Sequence, residues 1–165
     1  MTNSNKLSLF LLLIALAIGS YLYYTYRIPH GVDFNKLQLA NTDGSPFNFS
    51  DTKGQYVYVN FFATWCGPCV QEFPDLENMA EKYSAKGLKV ICISDEPVKH
   101  LQGFSKRYSN QLHFVKSVQS LKSLQIATIP TNYFLLPDGK VVYQKVGVPD
   151  WAAGEIDSLI HNHLR

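Results

Sequence analysis

Residues 56–69 read YVYVNFFATWCGPC, and this stretch decides the fold class. Tyr56 to Phe62 form a β-branched and aromatic run of core-strand length. Trp65-Cys66-Gly67-Pro68-Cys69 follows directly, and the pattern from Cys66 to about Lys86 is helical, so two cysteines stand where a strand gives way to a helix. A helix N-terminus offers unpaired N–H groups and a positive dipole end, and both stabilise a thiolate and lower its pKa. With two intervening residues, both sulfurs come within bonding distance in the first turn. Cys66 is therefore expected to be the exposed nucleophile, and Cys69, one turn in, the resolving thiol of a Cys66–Cys69 redox disulfide. Pro68 suits an early helix position, where no hydrogen bond is lost. A zinc half-site would need a second ligand pair, whereas His30, His100, His113, His161 and His163 are scattered. Covalent haem attachment would need histidine where Val70 stands. No metal and no cofactor is expected.

Outward from this motif, strands alternate with helices. Leu37-Gln38-Leu39 and Phe47-Asn48-Phe49 flank the turn residues Asn41 to Ser45 and predict an N-terminal hairpin. Gly87 ends the helix after Cys69, which carries Pro74, and Leu88 to Ile93 is a second buried strand. Asp95-Glu96-Pro97 opens another helix, acids and proline being favoured in a first turn. Leu112 to Val115 is a short strand and Ser117 to Leu124 a short helix. Thr131 to Leu136 and Val141 to Val146 pair around Pro137-Asp138-Gly139-Lys140, and a last helix runs from an Asp150 N-cap to about His163. Together these elements predict a mixed α/β sheet with helices on both faces. Cys92, flanked by Ile91 and Ile93, reads as an inert buried thiol rather than a regulatory one.

The front end differs. Lys6 and Arg27 are the only charges in residues 1–27, and between them lie twenty uncharged residues, Leu7 to Tyr26. A helix of that length covers about 30 Å, one hydrocarbon core. Tyr21, Tyr23, Tyr24 and Tyr26 crowd one end, where amphipathic rings suit a membrane interface. The reading is a membrane anchor over residues 1–27, a linker over 28–34 and one domain over 35–165. A cleaved signal peptide, with Leu7 to Ile18 as its apolar core, is the competing reading. Beyond residue 27 the other 13 basic residues balance 13 acidic ones, which argues against nucleic acid as a partner.

The dithiol and its surroundings resemble the thioredoxin superfamily over most of residues 35–165. Beyond Trp65 to Cys69, the likeness includes Pro74, Thr128-Ile129-Pro130 before a strand and Val146-Gly147 at the last strand's end. The run Asn60 to Cys66 and Glu72-Phe73-Pro74 look like the TlpA/ResA branch, whose members are membrane-tethered, extracytoplasmic thiol–disulfide reductases. The resemblance implies a thioredoxin-like mixed sheet with an N-terminal hairpin, a central insertion at about 95–117 and one transmembrane helix ahead of the domain. It makes Pro130 a cis-proline beside the dithiol and Ile129 the residue whose backbone pairs with an incoming peptide. Trp65 would cover the dithiol and contact substrate, and Gly67-Pro68 is the dipeptide of reducing members. Cytoplasmic thioredoxins carry a buried Asp where this chain has Asn60. Here the resemblance assigns the acid to Glu72, which shares a helix face with Cys69.

Protein-disulfide reduction outside the cytoplasm is therefore the expected activity. Its expected partners are disulfide-bonded exported proteins, apocytochrome c among the candidates, and a membrane-embedded thiol donor. A thioredoxin-fold thiol peroxidase is the alternative. Its Pro-x-x-x-Thr-x-x-Cys pattern is missing, because Val59 and Ala63 stand at those offsets from Cys66.

Overall fold

The computed structural model describes residues 10–21 and 31–164. The chain divides into two compact units, Met1–Gly31 and Val32–Arg165. In the first, residues 10–21 form helix α1. No helix among the described residues is long and apolar enough to cross a membrane. The ends of the expected Leu7–Tyr26 span, residues 7–9 and 22–26, lie outside the described residues.

The second unit is built on a seven-stranded sheet: β1 (Leu39–Asn41), β2 (Pro46–Phe47), β3 (Tyr56–Phe61), β4 (Leu88–Ser94), β5 (Leu112–Ser117), β6 (Thr131–Leu135) and β7 (Val141–Val146), in the order β2-β1-β5-β4-β3-β6-β7. The central strands β3, β4 and β5 run parallel, and the outer pairings are antiparallel. This is the thioredoxin-like mixed α/β sheet, with the expected hairpin at one edge. The expected insertion takes the form of helix α3 (Val98–Ser105) and strand β5.

Strand alternation divides the core in two. Tyr58, Phe62, Val90, Cys92, Phe114 and Phe134 face one side, where helices α2 (Gly67–Ser84), α3 and α4 (Glu155–His163) bury Phe73, Leu76, Leu101, Phe104, Ile156 and Ile160. Val57, Val59, Phe61, Ile91, Ile93 and Leu135 face the other. That face is covered by Phe34 and Phe49 from two short 3-10 helices and by Leu121 and Ile126. Helices therefore lie on both faces but unevenly, with all three domain α-helices on one and only short 3-10 helices on the other.

The reason lies in residues 117–124, expected as a helix. Ser117 instead ends β5, and residues 121–125 make only a single turn. Ser120 and Ser123 direct their side chains to nearby backbone, and Gln125, at φ 63°, turns the chain away as Ile126 N–H closes back on the Leu121 carbonyl. Likewise α4 starts at Glu155 rather than near Asp150, whose carboxylate accepts from Ala153 N–H and caps an isolated turn.

Gly87 closes the turn between α2 and β4 at φ +85°, with open space where a Cβ would stand. Its requirement is therefore conformational rather than steric. Gly87→Ala is expected to lower unfolding stability by about 1–2 kcal/mol, read from the urea midpoint.

Candidate active site

Strand β3 delivers the chain through Phe62 and Ala63 to Cys66, which is the N-cap of α2 with extended dihedrals (φ −79°, ψ 105°). Pro68 lies in the first turn, where its missing N–H costs nothing. Cys66 and Cys69 are joined by a disulfide with S–S 2.04 Å, and the Cys69 N–H donates to Cys66 Sγ at 3.3 Å. That same donor, at a positive helix end, is placed to stabilise a thiolate on Cys66. Cys66 is only 6% exposed and Cys69 fully buried. The expectation of an exposed Cys66 is corrected to a sulfur at the floor of the surface, still the more accessible of the two. Trp65 stands 76% exposed beside the dithiol motif. The Ile129 carbonyl oxygen lies 3.9 Å from Cys66 Sγ. The Ile129–Pro130 peptide is cis, and the Pro130 carbonyl accepts from Gly147 N–H at 2.8 Å.

Beneath the disulfide, Glu72 is buried on the face of α2 that carries Cys69 and Phe73. Asn60 donates to Glu72 Oε1 at 2.5 Å and to Asn132 Oδ1 at 2.8 Å. Asn132 in turn donates to the Gly147 carbonyl at 3.4 Å. Register explains the meeting: Asn60 pairs with Asn132 across β3 and β6, and with Cys92 across β3 and β4. Burial pushes the Glu72 carboxyl up from the ordinary 4.5 to about 7. Asn60, Asn132 and Trp151 pull the other way by favouring the charged form, and Asp75 adds a small upward push. Of these polar neighbours, only Asn60 meets the geometry of a direct hydrogen bond to the carboxylate. Burial raises the Cys92 thiol well above its usual value, with the Glu72 charge as a further cause, so Cys92 stays a neutral thiol.

Two site roles were not read from the sequence. Glu96, expected as a first-turn acid of α3, points back and accepts from Thr64 N–H at 2.6 Å and Thr64 Oγ1 at 2.8 Å, gripping the loop that presents the dithiol. Asn132 is the other, and its only signal is a polar residue beside Thr131 at the start of β6, ahead of the apolar Tyr133 to Leu135.

This arrangement of a mixed sheet, a disulfide capping a helix, a cis-proline beside it and a buried acid below can exchange a dithiol for a disulfide. It defines a ResA-like thiol–disulfide oxidoreductase of the thioredoxin superfamily. The Redoxin family model matches residues 27–160, and the chain belongs to that family. The thiol-disulfide oxidoreductase ResA of Bacillus subtilis is 28% identical over 162 residues, covering 93% of this chain and 87% of the relative. ResA of Bacillus cereus is 28% identical over 145 residues, 83% of this chain and 84% of its own. Among solved structures, a Chlorobium tepidum protein assigned as the thiol:disulfide interchange protein DsbE superposes with a TM-score of 0.70 at 25% identity, over 79% of this chain and 95% of that one.

Proposed function

We propose that the protein is a membrane-tethered reductase of disulfides in exported proteins, acting outside the cytoplasm through Cys66 and Cys69. The observation that carries this reading is Cys66 at the α2 N-cap with the Cys69 N–H on its sulfur, above a buried Glu72. In the reduced enzyme the Cys66 thiolate attacks one sulfur of a substrate disulfide. A Cys66–substrate bond forms and the first substrate thiolate leaves. Cys69 then gives its proton to the Glu72 carboxylate and attacks Cys66 Sγ. The Cys66–Cys69 bond forms, the second substrate thiolate leaves, and two electrons have passed to the substrate. A carboxyl titrating near 7 is matched to this task, since it holds and releases a proton at working pH.

Ile129 offers strand-like backbone pairing to the incoming peptide beside Pro130, and the exposed Trp65 supplies apolar contact at the rim. Residues 1–27 serve as the anchor and 28–34 as the linker, which leaves 35–165 as the working domain. A membrane-embedded thiol donor would restore the dithiol, and apocytochrome c is one candidate substrate. The uncharged span Leu7–Tyr26 supports the location, together with the likeness to the TlpA/ResA branch.

Turnover of insulin disulfides with dithiothreitol, run beside hydrogen peroxide consumption, tests the activity. The dithiol reading expects insulin reduction well above the uncatalysed rate and peroxide loss at background. Peroxide consumption without insulin reduction would instead establish the thiol peroxidase.

A further inference from the structure

Five buried side-chain atoms among the described residues lack a hydrogen-bond partner: Tyr58 Oη, Asn60 Oδ1, Glu72 Oε2, Tyr143 Oη and Trp151 Nε1. They come from β3, α2, β7 and the turn before α4, yet they gather on one side of the sheet. Tyr58, Phe134 and Tyr143 form one row across β3, β6 and β7, and Asn60 and Asn132 lie in the neighbouring row. Glu72 hangs over these rows on its bond from Asn60, and the Trp151 ring sits 6.2 Å from that of Tyr58. Folded proteins leave few buried polar atoms unpaired, and several that converge on one place are ordinarily joined by internal water.

The location has a consequence for the chemistry. A substrate joined to Cys66 beside Ile129 would cover the face above the dithiol. Glu72 is 1% exposed and has no opening of its own. A proton taken from Cys69 would then leave by the opposite side. There Glu155 opens α4, half-buried, and interacts with Tyr143. A groove of about 360 Å³ between α2 and α4 is lined by Asp75, Trp151 and Gly154, so solvent reaches the outer side of Trp151.

We propose that Glu72, Tyr58, Tyr143 and Trp151 enclose an internal water site, and that this site is the path by which a proton passes from Glu72 to Glu155 and solvent. The inference rests on the reading of Glu72 as the proton acceptor for Cys69. The proton moves from Cys69 Sγ to Glu72, then to water, then to the Glu155 carboxylate and bulk. No electron moves on this path. The titratable groups around it are Tyr58 on β3, Cys92 on β4, Tyr143 on β7, Asp75 on α2 itself and Glu155 on α4. Burial holds both tyrosines above their ordinary value, so each passes a proton by donating and accepting without ionising. Trp151, a donor only, orients the water.

Time-resolved infrared spectroscopy after a pH jump across 7 tests the path, with the Glu72 carboxyl band assigned by its loss in Glu72→Gln. Tyr143→Phe and Glu155→Gln are each expected to slow the relaxation of that band about tenfold while leaving its equilibrium midpoint in place. A change in packing alone would move the midpoint and not the rate. Glu155 is partly exposed at a helix start, so Glu155→Gln keeps the test alive if Tyr143→Phe does not fold. Wild-type relaxation in the folded variants overturns the path. A high-resolution crystal structure is expected to show water bonded to Glu72 Oε2 and a tyrosine hydroxyl. Direct tyrosine–Glu72 hydrogen bonds with no water between would overturn the water site. Failure of the underlying reading is separate: Glu72→Gln would then resolve mixed disulfides at the wild-type rate.

Discussion

Glu72→Gln is expected to stabilise the protein by about 3 kcal/mol at pH 8 and to leave it unchanged below pH 4.5. Burial raises the folded-state pKa of Glu72 from 4.5 to about 7. Between those values the native state keeps a proton that the unfolded chain has already lost. Stability is therefore full below pH 4.5, falls as pH rises and levels off above 7. The loss amounts to a gap of about 2.5 units at 1.36 kcal/mol each. Glutamine carries no charge at any pH, accepts the Asn60 bond as the carboxylate does, and removes this slope. Urea unfolding at several pH values with the disulfide intact measures it. Because the comparison is between two proteins differing at one residue, other titrations cancel, including that of His113, which burial makes harder to protonate. Parallel pH profiles for the two proteins would mean that the buried carboxyl titrates as an ordinary one.

The second large effect belongs to the sulfurs. Cys66→Ser is expected to lower reductase turnover at least ~1000-fold, because a serine hydroxyl is not a nucleophile toward disulfides at neutral pH. Cys69→Ser should also stop turnover, but at a later point. Cys66 still attacks, and the mixed disulfide accumulates for want of a resolving thiol. Cys92→Ala should retain turnover within about twofold, since the Cys92 thiol is fully buried, neutral and outside the disulfide. Stopped-flow kinetics with a disulfide peptide separate the attack from the resolution. Equal losses in all three variants would contradict a two-cysteine mechanism.

Much of this was legible from local pattern. The run from Tyr56 to Phe62 alternates its side chains between two cores, and a cysteine pair at a strand-to-helix junction needs no distant partner to be recognised. What stayed hidden depends on strand register. Asn60 could be seen as the residue that replaces an acid. Its partnership with Asn132, 72 residues away, follows only from the pairing of β3 with β6. Tyr58 read as part of a core strand, whereas Tyr143 and Trp151 carried no reading of their own; all three rings pack in or against the same core. Their polar atoms matter because three elements bring them together around Glu72. Glu96 misled for a physical reason: an acid ahead of a helix ordinarily serves the helix, whereas here two Thr64 donors compete for it more strongly. The turn at 117–124 misled similarly, because serine side chains satisfied the backbone locally and left one turn too short to propagate.

The central claim is that substrate is carried on Cys66 and released by Cys69. Its most direct test is to react the reduced Cys69→Ser variant with a disulfide-bonded peptide, quench in acid and map the adduct by mass spectrometry. The account predicts one peptide per chain, joined to Cys66. An adduct on Cys92, or no adduct while the wild-type protein still reduces the same peptide, would contradict it.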